Sequence, residues 1–130
     1  MKRLALMVAA FLMLATSASA NPVLGSWRTE TGETGGYVIV EMAECNGGKI
    51  CGTITDVVGN DNRSIIGRQI VSDMTAYADG SFSGGTIWAP DTDKTYKSDM
   101  ELLSDNQLRV RGCVGICTAL TSRSQVWTRQ

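Results

Sequence analysis

The 130-residue chain contains no histidine. That absence removes Ser-His and Cys-His nucleophilic catalysis, imidazole general bases and the zinc sites built on histidine. The chain also lacks any excess of basic charge, with 12 Lys and Arg against 13 Asp and Glu and a formal net charge of −1. It therefore carries no basic footprint of the kind that binds nucleic acid or an anionic membrane. No internal repeat and no low-complexity segment interrupts it.

What is present begins with an address. Residues 1–20 run from Lys2 and Arg3 through the apolar stretch Leu4 to Ala15 to the small residues Ala18-Ser19-Ala20. This order is that of a secretory signal peptide with its cleavage site. The apolar stretch is shorter than the ~20 residues a membrane-spanning helix needs. The residue directly after the cleavage site is Asn21 and not a cysteine, so a lipid anchor is not indicated. The expectation is a mature chain Asn21 to Gln130, a single domain in the periplasm or secreted medium, with no membrane insertion after cleavage.

All four cysteines, Cys45, Cys51, Cys113 and Cys117, lie in the exported part. An even number in a small exported domain reads first as disulfides, and four cysteines allow three pairings. Cys45 with Cys51 and Cys113 with Cys117 is favoured because each pair brackets a turn signal. Closing such short loops contributes roughly 2 kcal/mol each. The spacing Cys113-Val-Gly-Ile-Cys117 is one residue too long for the redox motif.

From Leu24 onward, clusters of Gly, Asn, Asp and Ser separate short stretches rich in Val, Ile, Thr, Trp and Tyr, which predicts an all-β domain. Strands are predicted at 24–31, 36–44, 50–56, 65–71, 82–88, 94–103, 106–113 and 122–129. Asn46-Gly47-Gly48 supplies the positive φ angles of a tight hairpin. Tyr96, Ser98, Met100 and Leu102 alternate with Lys97, Asp99 and Glu101, and Leu108 and Val110 alternate with Arg109 and Arg111. One face is wet and the other buried. Residues 72–85 are read as a short helical turn or an extended crossing. Eight antiparallel strands hide their apolar face and their edges by closing into an up-and-down barrel; a two-sheet sandwich is the competing architecture.

Chemistry-bearing clusters are few. Asp91, Asp93, Thr95 and Asp99 lack the Gly and the terminal Glu of a helix-loop-helix calcium site, so they read as a solvated hairpin tip. Arg109 and Arg111 are placed to pair with Asp99 and Glu101 on the neighbouring strand. No catalytic residue, metal site or cofactor is indicated. In a barrel the first and last strands are neighbours, so Trp27, Trp127 and Arg129 are predicted to meet at one end, with Arg129 laid over a tryptophan face.

The stretches LGSWRT, CGTI, IIG, SGGTIWAPDTDKTY, LRVRGC and SQVWTR together resemble a small exported bacterial family, domain of unknown function 2147, across essentially the whole mature chain. The resemblance implies a lipocalin-like (calycin-like) barrel, and Gly25, Trp27 and Arg129 are similar to the first-strand G-x-W and last-strand Arg of lipocalins. The chain departs from lipocalins in being shorter and lacking a clear helix after the last strand. It departs from the family at Asp93, where a Gly is common. The expected function is binding of a small hydrophobic or amphipathic ligand, without catalysis. The candidate lining is Val38, Val40, Met42, Ile54, Trp88, Met100 and Leu102, and Ile87, Leu108 and Val110 are further inward residues. Barrel closure is assigned to Gly25, Trp27, Trp127 and Arg129. The alternative is a filled barrel acting on a protein partner through loops 58–64 and 89–95.

Overall fold

A computed structural model describes residues 21–33 and 35–130. The signal-peptide segment 1–20 lies outside the described residues. The chain forms eight strands: β1 (Gly25–Arg28), β2 (Tyr37–Glu44), β3 (Ile50–Val58), β4 (Gln69–Ala76), β5 (Ser81–Ala89), β6 (Lys94–Ser104), β7 (Gln107–Cys113) and β8 (Ser122–Arg129). They close in sequence order into a single antiparallel barrel. The sandwich alternative is excluded by this closure. Both disulfides form, Cys45–Cys51 and Cys113–Cys117, with Cα atoms 5.8 and 5.0 Å apart.

One expected strand is misplaced. The pattern predicts the fourth strand at 65–71, but β4 starts at Gln69 and runs to Ala76, into the stretch read as a short helical turn or an extended crossing. The reason lies in irregular pairing. Ile50 faces Met74 while Gly52 faces Val71, so β4 carries an extra residue where Asp73 adopts φ 54°. A similar offset in β5 sets Phe82 opposite Met100 but Gly85 opposite Ser98, around Gly84 at φ 80°. Each extra residue reverses the side-chain phase within a strand, which erases the simple alternation that a sequence pattern relies on. A third lies in β3, where Ile39 faces Asp56 and Val40 faces Ile54, leaving Thr55 unmatched.

The barrel interior is built from large apolar side chains. Trp27, Val40, Met42, Ile54, Val71, Met74, Phe82 and Leu108 are all at most 1 % exposed. Glycines make room for them. A Cβ at Gly52 would lie 2.8 Å from Val40 and 3.0 Å from Met42, and one at Gly85 only 2.2 Å from the Ser72 carbonyl oxygen. The one buried polar side chain among the described residues, Ser98, donates to the Arg111 carbonyl at 2.6 Å. On the outer face Glu101 stands opposite Arg109 and Asp99 opposite Arg111. Both pairs form salt bridges, and Arg111 grips Asp99 through two nitrogens. The hydrogen bond from Arg111 to the Asp99 carboxylate raises the guanidinium above its ordinary pKa. Exposed pairs of this kind contribute about 0.2–1 kcal/mol each.

The interior tolerates no added atom at Gly85. Gly85→Ala is expected to destabilise the fold by about 3 kcal/mol and lower the midpoint of thermal unfolding by more than about 10 °C. Circular dichroism melts of the two proteins check this; a shift within experimental error would show that β4 and β5 can separate to admit a methyl group.

Candidate functional site

The end of the barrel where β1 begins is closed by the chain itself. Asn21 starts a turn, accepting the Val23 N–H on its side chain at 3.0 Å and the Leu24 N–H on its carbonyl at 3.0 Å. This folds Val23 into the barrel mouth, where it is fully buried. The Trp27 indole N–H donates to the Val23 carbonyl at 2.8 Å and fixes the plug from inside. Gly25 follows with φ 115°, a conformation that glycine reaches without a Cβ penalty.

Arg129 completes the closure from the other end of the chain. It stands opposite Trp27 in the β1–β8 register, with its guanidinium carbon 4.1 Å from the centre of the indole. Nη1 donates to the Leu24 carbonyl at 2.8 Å, Nη2 to the Pro22 carbonyl at 2.6 Å, and Nε to the Asp105 carbonyl at 2.9 Å. A planar fork of donors is what three converging carbonyls require, and an ammonium cannot reproduce it. Gly25, Trp27 and Arg129 thus come together. Trp127 sits higher, opposite Leu108, and its indole N–H donates to the Gln125 side chain at 3.0 Å instead of holding the N-terminal segment.

Beside this plug lies a half-open cleft of about 370 Å³. Its floor is Ile50, Phe82 and Leu102, its walls are Pro22 and Tyr77, and Glu44 stands at its rim. The turn that bounds it is tied by Asp79, which accepts from the Ser81 hydroxyl and N–H; these bonds hold the Asp79 carboxyl below its ordinary pKa. A second concavity of about 200 Å³ is an outer groove between Ser81, Ser83 and the ion pairs of β6 and β7.

Of the lining residues proposed from sequence, Val40, Met42, Ile54 and Met100 lie buried in the interior, and Val38 and Leu102 are partly buried against it. Trp88 is buried in the same core cluster but differs from these six in the face of its strand. Ile87 pairs with Val71 and Tyr96, so its neighbour Trp88 takes the opposite, outer face. Trp88 is nevertheless only 7 % exposed, because the Arg68 guanidinium lies over its ring at 3.5 Å. Its indole N–H donates to Asp93 at 2.9 Å, and Asp93 also pairs with Arg68 at 3.5 Å. Asp93 has φ 54°, a left-handed conformation that glycine adopts at lower cost. No spacing in the sequence pointed to Arg68 or to the Val23 plug; both depend on pairings that only the closed barrel creates.

At the opposite end from the plug the seam loosens. Only Trp27 with Arg129 and Arg28 with Thr128 pair between β1 and β8. Above them the Val126 N–H is taken by the Glu30 carboxylate, and Arg123 and Gln125 are exposed.

Two sets of variants test these assignments. Arg129→Lys is expected to cost about 1–3 kcal/mol, because the carbonyls of Pro22, Leu24 and Asp105 lose a shared donor. Hydrogen exchange at Val23 and Leu24 should rise with it; unchanged protection would mean that the plug is held without the fork. At Asp93, Ala is expected to destabilise by about 1–2 kcal/mol, whereas Gly should lie within about 1 kcal/mol of the parent, since relief of backbone strain offsets the lost hydrogen bond. Chemical denaturation of the three proteins reads the difference.

In overall shape the chain is similar to a protein described as "Protein HP1028 from the human pathogen Helicobacter pylori belongs to the lipocalin family". The TM-score is 0.66 at 20 % sequence identity, covering 82 % of each chain. That likeness establishes a lipocalin-like fold. No curated protein sequence matches the chain. A family model described as "Uncharacterized protein conserved in bacteria" matches residues 25–129, from the plug glycine to the clasping arginine, and the chain therefore belongs to the bacterial family DUF2147.

Proposed function

We propose that the protein is an exported, non-enzymatic binding protein that takes one small amphipathic molecule in the cleft beside the plugged end of the barrel. The observation that carries this reading is the contrast between the two candidate locations. The interior residues are buried to within a few per cent and packed on one another, whereas the cleft lies over the core residues Ile50 and Phe82 and is lined by partly buried Leu102 and Ala76 and exposed Tyr77, with the Glu44 carboxylate beside them. A lipocalin-like barrel is compatible with such a ligand. An apolar pocket with a few placed polar groups is the ordinary form of a small-molecule site. Glu44 selects for a cationic or hydrogen-bond-donating head, and Tyr77, 51 % exposed, is positioned to lie along an apolar tail.

Export is supported by the signal-peptide pattern of residues 1–20 and by two disulfides, which persist in oxidising compartments. Among the described residues no helix is long and apolar enough to cross a membrane. The absence of catalysis is supported by the missing histidine and by the engagement of Asp99 and Glu101 in ion pairs with arginine.

Native mass spectrometry of protein purified from its own envelope is expected to show one small molecule per chain. In parallel, dodecylamine should shift the NMR signals of Tyr77 and Leu102 more strongly than dodecanoate does, and Tyr77→Glu, a change at an exposed position, should abolish both effects. A bare mass together with unperturbed Tyr77 and Leu102 signals would overturn the proposal.

A further inference from the structure

The outer wall of the barrel carries a disulfide sulfur at which two donors converge. A Cβ at Gly52 would meet Val40 and Met42 in the interior, so the preceding residue, Cys51, takes the outer side of β3. There its Sγ accepts the Asp73 backbone N–H at 3.4 Å and the Gln69 side-chain amide at 3.4 Å. The first donor is presented by the bulge in β4, where Asp73 has φ 54°. The second is steadied by the Ser72 hydroxyl, which accepts from the same amide nitrogen at 2.9 Å. Asp73 Oδ1 lies 3.9 Å from the sulfur, and the Cys45, Cys51 and Asp73 groups all come within 4.8 Å of one another. The second disulfide makes the comparison. Each bond joins a buried cysteine, Cys51 or Cys113, to a partly exposed one, Cys45 or Cys117, across a short loop. Among the described residues, Cys51 is the one cysteine whose sulfur accepts N–H donors.

We infer that Cys45–Cys51 is an exchange site for low-molecular-weight thiols, with Cys45 the sulfur attacked and Cys51 the leaving thiolate. Cys51 is only 7 % exposed, so an incoming thiolate reaches Cys45. It forms a new S–S bond there, while the Cys45–Cys51 bond breaks and its electron pair departs on Cys51 Sγ. A second thiolate then attacks the sulfur of the first thiol, which releases Cys45 as a thiolate and joins the two small thiols as their disulfide. The protein gains two electrons, the thiols lose two, and the protons shed by the thiols return to Cys45 and Cys51. Hydrogen bonds to the departing sulfur favour its charged form, and a stabilised thiolate leaves faster. The Asp73 carboxylate opposes that charge; in the reverse direction it is placed to take the Cys51 proton as the bond re-forms. Cys113–Cys117 has the same division between buried and partly exposed partners but no donors, so it remains a staple. The exchange site lies on the outer wall and needs no ligand in the cleft.

The oxidised protein is incubated with reduced glutathione, quenched in acid, alkylated and analysed by peptide mass spectrometry, with Cys113–Cys117 as the internal reference. Cys45–Cys51 is expected to open at least about fivefold faster than Cys113–Cys117, with the first glutathione adduct on Cys45. Gln69→Met, a change at an exposed position, should slow that opening by about threefold through loss of a donor. Asp73→Asn keeps the backbone donor, tolerates the left-handed conformation and should speed opening by about threefold. Neither variant should alter the opening of Cys113–Cys117. Opening of Cys45–Cys51 no faster than Cys113–Cys117, a first adduct on Cys51, or an unchanged rate in either variant overturns the inference.

Discussion

The contact on which the barrel depends is the stacking of Arg129 on Trp27 with three backbone carbonyls gathered around the guanidinium. A sheet of eight strands has two edges, and here one edge strand has four residues and the other eight. Two paired positions are too few to hold such a seam by ladder hydrogen bonds alone. The guanidinium supplies what the short ladder lacks, joining β8, the N-terminal plug and the β6–β7 turn at one point. Without it the carbonyls of Pro22, Leu24 and Asp105 would lose the donor they share. The tryptophan under the fork gives the cation a low-dielectric partner without a second charge to desolvate.

That economy shapes the interior. With the mouth occupied by Val23 and the interior by Trp27, Trp127, Phe82 and three buried methionines, the barrel has a packed core, and the 370 Å³ cleft lies at its margin. Methionine suits such a space, because its flexible thioether fills irregular gaps between glycine-thinned stretches of wall. The two ends of the barrel thus differ: one is plugged and bordered by a half-polar cleft, the other carries the exposed aliphatic side chains of the β7–β8 loop.

Much of the fold was legible in the sequence because it is local. Neighbouring strands pair with neighbouring strands, each hairpin has its own turn residues, and the alternation from Tyr96 to Arg111 placed both ion pairs before any coordinate was known. The closure residues were legible for a different reason, the resemblance of Gly25, Trp27 and Arg129 to a known seam. Illegible were the features that arise when the alternation is broken or when distant segments meet. Asp73 and Gly84 shift the phase of β4 and β5 and so hid a strand. Trp88 looked like a lining residue because its strand is apolar on both faces; only its cover, Arg68, distinguishes the two sides, and that cover comes from a loop twenty positions earlier in the chain. The exposed aliphatic side chains of the β7–β8 loop, Val114, Ile116 and Leu120, follow no strand or helix period, so nothing in the sequence separates them from core residues.

The position of the clasp has a consequence for how the barrel comes into being. Every other pairing joins consecutive strands, while Arg129 reaches back 105 residues to Leu24. Local hairpins form early and long-range closure late, since the entropy of bringing chain ends together must be met before the contact rewards it. Arg129 ends the last strand, β8, so the seam cannot shut before all eight strands are present. A sheet still lacking β8 has two free edges, and those are the surfaces that an assisting chaperone would have to shield.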